Sequence, residues 1–215
     1  MAVREIPENK RKLQELPKKF PELFENHPYS KGPDPLYFPF QCCDGWYDLL
    51  ANLLHVIKGE LGRYREVIEI RESILSKGGD PPLPWIAEYF EANPEDPLKG
   101  FTIQQVKEKF GGLRFYAQFG DRGSYKGGAV KACQGAIRLA ENMSFSICEL
   151  CGNKGNPQSP NNGQRILAYR KEAKMEEGEY LPGGGYLQTL CEDHHTEKAD
   201  ESIAEHKAYL EKKKG

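Results

Sequence analysis

Two short motifs, Cys148-Glu-Leu-Cys151-Gly152 and Cys191-Glu-Asp-His194, decide how the C-terminal part of this 215-residue chain folds. Two residues between the first pair of thiols allow both sulfurs to reach one metal ion, and the following glycine relieves a tight turn. In the second motif the ligands are three residues apart, so at the start of a helix they share one face. Cys148, Cys151, Cys191 and His194 therefore predict a closed, structural Zn²⁺ site.

The sequence leaves the fourth ligand open between two neighbouring histidines. We call the turn at 148–151 the knuckle. His194 fits the spacing between this knuckle and the following helix better, and His195 is its competitor. Three cysteines and one histidine fill all four positions of a tetrahedral zinc site, so no position is open for water or substrate. The metal is therefore predicted to hold structure and to take no part in catalysis.

The thirty-nine residues between Cys151 and Cys191 have room for a β-hairpin with a loop. We predict strands over 164–170 and 185–190, followed by a terminal helix over 191–212. A knuckle, a hairpin and then two ligands at a helix start is the order found in treble-clef zinc fingers. Residues 146–215 resemble such a module.

Apolar periodicity predicts two long helices upstream of the zinc motifs. Leucines recur at helical spacing over 45–61, with Asp44 as the candidate N-cap, and a second apolar stripe covers about 126–143. WIAEYF at 85–90 predicts a short helix. Residues 63–76 predict another helix, with a strand as the alternative because VIEI alternates.

A glycine pair separates two extended runs, FTIQQVKEKF at 101–110 and LRFYAQF at 113–119. Because both glycines can adopt positive φ, this pattern predicts a β-hairpin. The fold is therefore predicted to be α+β, with two long helices packed on a small antiparallel sheet and a C-terminal treble-clef-like zinc module. We divide the chain into an extended, proline-rich N-terminal arm at 1–40, an α+β body at 41–145 and the zinc module at 146–215.

The hairpin also carries the main candidate binding residues outside the metal site. Basic and aromatic side chains mixed in this way can grip phosphates and stack bases; they are Lys107, Lys109, Arg114, Phe115 and Tyr116. The same pattern also fits an amphipathic hairpin with aromatics inside and cations outside, which we favour. Glu108, placed among the cations, would weaken a phosphate site.

Composition narrows the class of protein. Thirty basic and 32 acidic residues give a net charge of −2, whereas nucleic-acid-binding proteins usually show a basic excess, so only local patches could serve that role. No stretch approaches the roughly 20 apolar residues that span a bilayer, and the charged N-terminus lacks the apolar core of a signal peptide. Six cysteines are too few for a disulfide scaffold. We expect a soluble, intracellular protein with no membrane partner.

Four blocks carry a resemblance to a known family: DGWYDLL at 44–50, VKEKFGGLRFY at 106–116, ICELCG at 147–152 and TLCEDHH at 189–195. In this order they resemble a family of small proteins encoded by tailed phages and bacterial prophages. Residues 63–97 depart from the family pattern as an insertion. The resemblance implies a phage or prophage origin, zinc binding and the cytoplasm of a host cell, but it implies no activity.

The leading hypothesis is a non-enzymatic binding protein whose partner is a host protein, a phage protein or a small nucleotide-like ligand, with counter-defence as one such role. The first alternative is a nucleic-acid-binding protein that uses the basic-aromatic hairpin. The second is an HNH-like nuclease or another hydrolase, because treble-clef modules occur in such nucleases. A nuclease needs a metal-activating histidine pair, but no histidine lies between Cys151 and Cys191, and only His195 and His206 follow the favoured ligand. The sequence thus favours no enzymatic activity and names no catalytic residue.

Overall fold

The computed structural model describes residues 8–32, 34, 37–78, 84–92, 100–120, 127–158, 163–176, 178–179, 181 and 187–214. Within these ranges the fold is α+β, as predicted, with seven α-helices and two antiparallel sheets of two strands each. The helices are α1 (Leu16–Lys19), α2 (Pro21–Phe24), α3 (Tyr47–Ser76), α4 (Pro84–Ala92), α5 (Gly128–Ser144), α6 (Gln164–Glu172) and α7 (Glu192–Lys214). The strands are β1 (Thr102–Lys109), β2 (Gly112–Gln118), β3 (Asn156–Gln158) and β4 (Gln188–Leu190). Across the described parts of the chain, every helix is too short or too polar to span a bilayer.

The N-terminal residues contribute to the core. Residues 13–24 form short helical turns, whereas the sequence predicted one short helix around Lys10–Leu16 and otherwise an extended arm. Their apolar side chains are fully or almost fully buried, namely Leu13, Leu16, Phe20, Leu23 and Phe24. The division of the chain into arm, body and zinc module stays a prediction.

Asp44 caps a different helical turn from the one predicted. Its carboxylate accepts hydrogen bonds from the backbone N–H groups of Lys12, at 3.0 Å, and Leu13, at 2.8 Å. These donors begin the turn at 13–15, so the carboxylate fixes the N-terminal segment to the start of the first long helix. No side chain caps α3 itself.

Helix α3 is one continuous element of 30 residues, where the sequence predicted separate helices over 45–61 and 63–76. Gly62 lies inside it, because a single glycine in a helix costs only about 1 kcal/mol. Buried Leu61, Tyr64 and Val67 continue the apolar stripe across this position. The strand alternative for 63–76 is therefore wrong, and part of the apparent insertion is helix.

The predicted β1–β2 hairpin is confirmed, but its turn is not the glycine pair: Phe110 and Gly111 are the two residues with positive φ, and Gly112 begins β2. The inner face of the hairpin belongs to the main core. Val106, Leu113 and Phe115 are buried there, beside helices α3 and α5. Helix α5 also covers the outer edge of β2: Ser144 Oγ accepts from the N–H of Leu113 at 2.8 Å, and Glu141 Oε1 accepts from that of Phe115 at 3.0 Å. Side chains of the helix thus satisfy strand donors that a neighbouring strand would otherwise pair.

The predicted strand over 164–170 is wrong, because these residues form helix α6. Ile166 and Tyr169 are three residues apart, so one helix face buries both of them in a small second core with Leu181 and Ala199. Strand β3 pairs instead with β4. The strand predicted over 185–190 is confirmed for residues 188–190, which form β4. Residues 185 and 186 lie outside the described part of the chain.

The zinc-motif segment joins the body through tight backbone contacts at Gly45. Its N–H donates to the carbonyl of Glu149 at 2.8 Å, and the next residue, Trp46, donates from Nε1 to the carbonyl of Ile147 at 2.9 Å. A Cβ placed on Gly45 would lie 2.3 Å from the carbonyl oxygen of Cys148. Because that distance is far below van der Waals contact, only glycine fits at this junction.

We predict that Gly45→Ala lowers the free energy of unfolding by about 3 kcal/mol, near the upper end for overpacking because the obstructing atom is backbone. The matched control is Gly62→Ala, since a Cβ there meets no atom within 4 Å. This control should raise stability by about 0.5–1 kcal/mol. Urea unfolding followed by circular dichroism measures both changes, and equal stability of the two variants would contradict the tight junction.

Candidate metal centre

The two predicted motifs meet in space at one point. Cys148 and Cys151 flank a turn that follows α5, Cys191 immediately precedes α7, and His194 lies in the first turn of that helix. One sulfur or nitrogen atom from each of the four lies within 4.8 Å of all the others. This group of Cys148, Cys151, Cys191 and His194 is the set that the sequence predicted, and it could hold a metal ion.

The distances within the group fit tetrahedral coordination. With metal–sulfur bonds of about 2.3 Å and metal–nitrogen bonds of about 2.0 Å, sulfurs lie about 3.8 Å apart and sulfur and nitrogen about 3.6 Å apart. Cys151 Sγ lies 3.8 Å from Cys191 Sγ. His194 Nδ1 lies 3.6 Å from Cys148 Sγ and 3.2 Å from Cys191 Sγ. The residues present therefore fit a four-coordinate ion of zinc size.

The two neighbouring histidines lie differently with respect to the group. Nε2 of His194 lies 3.8 Å from a carboxylate oxygen of Glu197, one turn further along α7. This distance is too long for a hydrogen bond, and it is Nδ1 of His194 that lies beside the sulfurs. The backbone N–H of His195 donates to the carbonyl of Cys191 at 2.9 Å, as part of the first helical turn. Among the described residues, the group contains His194 and not His195.

The thiols of the group differ in their electrostatic surroundings. Burial alone would raise the pKa of Cys148, but backbone N–H groups of Cys191, Cys151 and Leu150 point at its sulfur and lower that pKa overall. Burial raises the pKa of Cys151 to about 11, and the neighbouring sulfurs of Cys148 and Cys191 add to the rise. Three thiolates this close repel one another, and a divalent cation among them removes that repulsion.

The other described cysteines are not reactive thiols. Burial raises the pKa of Cys43 to about 12, with a further contribution from the nearby carboxylate of Glu149. Burial likewise raises the pKa of Cys133 to about 12 and the pKa of Cys42 well above its ordinary value. These thiols stay protonated at neutral pH, whereas a nucleophilic cysteine must be a thiolate. Cys42 and Cys43, neighbours in sequence, are both buried.

Glu149, between the first two ligands, has a role that the sequence did not indicate. Its side chain is almost fully buried, with Oε1 accepting from the N–H of Cys43 at 3.1 Å and Oε2 from the side-chain amide of Gln188 at 3.2 Å. Burial raises the pKa of this carboxyl. The middle of a knuckle is usually exposed, so no sequence signal marks this residue as a link between body and metal motif.

The predicted binding residues of the hairpin fall into two groups. Lys107, Lys109, Arg114 and Tyr116 lie at outward-facing positions, but Phe115 is 5% exposed and belongs to the core, so it cannot stack a ligand. Phe110, the third aromatic residue that alternates with these cations in the sequence, lies at the tip of the hairpin and is 68% exposed.

Comparisons with protein-family models, with curated proteins and with solved structures find no match to this chain. The family resemblance carried by the four sequence blocks therefore stays a prediction. Function has to be inferred from the geometry of the site itself.

We predict that His194→Ala weakens zinc binding by more than the roughly 10–100-fold that loss of a second-shell partner costs, because a ligand atom itself is removed. The matched control is His195→Ala, which removes the adjacent imidazole and should leave zinc affinity within a few-fold of the parent. Competition against a chelator of known affinity measures both variants. A larger loss in the control than in His194→Ala would reverse the ligand assignment.

Glu149 generates a prediction about pH. Because its folded pKa is raised above the ordinary 4.5, its contribution to stability is fully present below that value and is lost as pH rises through the folded pKa. Glu149→Gln removes this loss, and each unit of pKa difference corresponds to about 1.4 kcal/mol. Unfolding measured from pH 5 to 8 at constant free zinc should therefore show the variant gaining stability relative to the parent as pH rises. A difference that is constant over this range would contradict the raised pKa.

Proposed function

We propose that Cys148, Cys151, Cys191 and His194 bind a structural Zn²⁺ ion in a treble-clef-like module. We further propose that the chain is a phage- or prophage-derived accessory protein that acts in the host cytoplasm as a non-enzymatic binding module, for example in counter-defence. In this proposal the body consists of two long helices, α3 and α5, over the β1–β2 hairpin. The partner is a host protein, a phage protein or a nucleotide-like ligand.

The single observation that carries the metal proposal is the closed ligand set. Three sulfurs and one imidazole nitrogen converge within 4.8 Å, and that donor set is typical of structural zinc. Two backbone segments, one at 148–151 and one at 191–194, supply two ligands each. A bound Zn²⁺ would neutralise the clustered thiolates and cross-link these segments, which are far apart in sequence.

The order of elements around the ligands supports the treble-clef-like part of the proposal. The knuckle at 148–151 is followed by β3, which pairs antiparallel with β4, and α7 begins directly after the third ligand. Helix α6 lies between the two strands, so the hairpin is interrupted where a treble clef has a simple loop. Helix α6 packs on α7 through a small core of its own, and the four ligand residues keep the order that they have in a treble clef.

Three observations support a non-enzymatic role. With four protein ligands no coordination position is open, whereas catalytic zinc keeps one for water or substrate. Within the described residues, no second group of histidine, cysteine and carboxylate side chains could hold another metal ion. A nuclease would need His206 as a metal-activating histidine, but this residue is buried. Its Nδ1 lies 3.0 Å from the hydroxyl oxygen of Tyr169. These placements disfavour the HNH-like alternative.

The knuckle residues link metal binding to the stability of the body. Ile147 accepts from Trp46, and Glu149 accepts from Gly45, directly before α3 begins. Ordering the knuckle around the ion therefore also orders the residues that the first long helix follows. In this view the ion is a part of the folded core and not an attachment to it.

We predict one zinc per chain by elemental analysis and native mass spectrometry, with zinc lost in Cys151→Ser. Trp46 reports the structural consequence, because it is fully buried and bonded to the knuckle. In a Trp85→Phe background, which removes the half-exposed second tryptophan, chelation should shift the emission to longer wavelength. Added Zn²⁺ should restore it.

The controls separate the parts of this proposal. An emission spectrum that does not change when zinc is removed would show that the ion does not hold the junction. Absence of zinc from both parent and variant would overturn the metal assignment. The zinc-loaded protein incubated with Mg²⁺ or Mn²⁺ and nucleic acid should cause no cleavage, and cleavage would contradict the non-enzymatic role.

A further inference from the structure

The outer face of the β1–β2 hairpin carries an unusual set of side chains. We call it the hairpin face and define it by the described residues Lys107, Lys109, Phe110, Arg114 and Tyr116. Lys107 lies directly opposite Arg114 in the strand register. Because side chains alternate across a strand, the four strand residues of this set lie opposite to the buried Val106, Leu113 and Phe115. Phe110 lies in the turn, with its ring beside Lys109. The hairpin therefore packs on the body with one face and presents cations and aromatic rings with the other.

The hairpin face holds no acidic residue among its outward positions 105, 107, 109, 112, 114 and 116. Glu108, the acidic residue within this block, lies on the other side of the strand. Its Oε1 accepts from the backbone N–H of Gly111 at 2.6 Å and so stabilises the turn. Among the described residues, no carboxylate forms an ion pair with any of the three cations. The face is thus positive although the chain as a whole has a net charge of −2.

Each cation lies beside an aromatic ring. Lys107 Nζ lies 5.2 Å from the ring centroid of Tyr116, and Lys109 Nζ lies 5.1 Å from that of Phe110. The guanidinium of Arg114 lies 5.9 Å from the ring of Phe145, which follows α5. These distances are within the range of cation–π contacts. Positive charge and flat rings therefore alternate along one surface.

Phe110 is the residue on this face that folding explains least. Its φ of 57° lies in the left-handed region, where glycine and asparagine are favoured. With Gly111 at φ 79° it forms the two-residue turn, for which Asn-Gly is the usual pair. The ring is 68% exposed, so burial does not compensate for the backbone strain. Strain of this kind is concentrated at binding sites.

The geometry points to the hairpin face as a binding site for single-stranded nucleic acid. Phe110 and Tyr116, exposed at 68% and 41%, offer rings on which unpaired bases stack. Lys107, Lys109 and Arg114 contact the phosphates between those bases. A single strand is favoured over a duplex because in a duplex the base faces are already stacked on neighbouring base pairs, so these rings could not stack on them. No element of the face is a helix that could enter a major groove.

This inference deepens the proposed binding function and rests on it, because the zinc module holds the tip of the hairpin. Thr189 Oγ1 donates to the carbonyl of Gly111 at 2.6 Å, two residues before the ligand Cys191. The side chain of Leu187 lies against the same glycine. The ordered module thereby sets the direction in which Phe110 points.

The test uses the zinc-loaded full chain and fluorescein-labelled oligothymidylate and oligouridylate, titrated by fluorescence anisotropy at about 50 and 200 mM salt. Three phosphate contacts predict a slope of log affinity on log salt of about −2 for a single strand, hence affinity roughly 20-fold lower at the higher salt. The double variant Lys107→Gln/Tyr116→Ala should lose about tenfold or more in affinity. It should also show a shallower salt slope.

The matched control is Lys213→Gln/Tyr209→Ala, a lysine–tyrosine pair on α7 with Nζ 5.9 Å from the ring centroid. This control variant removes the same two kinds of side chain from a different surface, and it should bind the oligonucleotides with the affinity of the parent. No binding at the lower salt, affinity independent of salt, or an equal loss in the control would overturn the inference. Zinc content is measured on every sample: loss of zinc in the parent refutes the metal proposal, and zinc present without binding refutes only the hairpin site.

A second variant separates a structural role of Phe110 from a binding role. Phe110→Asn provides the preferred turn residue, so its thermal unfolding midpoint should rise above that of the parent while its affinity for the oligonucleotides falls several-fold. A structural role predicts that both quantities change together. A lower midpoint, or unchanged affinity, would remove Phe110 from the site.

Discussion

The backbone of Gly45 lies so close to the peptide that joins Cys148 to Glu149 that no side chain fits between them. The N–H of this glycine is bonded to the Glu149 carbonyl, and α3 begins two residues later. The orientation of a 30-residue helix is thus set against the metal ligands by main-chain atoms. The contact between Gly45 and the knuckle is made by main-chain atoms, so it depends on the backbone conformation of the knuckle more than on its side chains. It forms only if the knuckle keeps a single conformation. A metal ion held by Cys148, Cys151, Cys191 and His194, which lie close enough together to bind one, would supply that condition.

Carboxylates on both sides of this junction are bonded to backbone donors. Asp44 binds the first turn of the N-terminal segment through Lys12 and Leu13, and the buried Glu149 binds the N–H of Cys43. A buried carboxylate without such donors would cost several kcal/mol. Segments more than 100 residues apart in sequence therefore meet through bonds that only an ordered backbone can make. Closing such long loops is entropically unfavourable, and a metal cross-link between 148–151 and 191–194 would offset part of that cost.

The features predicted from sequence are those in which local spacing determines structure. The CxxC and CxxH spacings identified the ligand group, the glycine pair between two extended runs identified β1 and β2, and apolar periodicity identified α3 and α5. The sequence predictions were wrong where contacts between distant segments determine the secondary structure. The run ILAY favours a strand by composition, but Ile166 and Tyr169 bury together only as a helix against α7. The apolar stripe of α3 continues past Gly62 because Tyr64 and Val67 find a core to pack on. Neither packing partner is visible in the local sequence.

The two phenylalanines of the hairpin show the same limit at a candidate site. Phe110 and Phe115 occur in one block of alternating polar and apolar residues, and local sequence does not tell which of them is inside. The strand register decides: Phe115 faces the core, whereas Phe110 falls on the turn with positive φ and an exposed ring. A turn of two residues tolerates such a side chain only if the flanking strands are held in register. Here the inner face packs on α5, and Gly111 is bonded to Thr189 beside the metal ligands. The strain at Phe110 is therefore carried by contacts on both sides of the turn, and ordering of the metal centre bears directly on the surface that the hairpin presents.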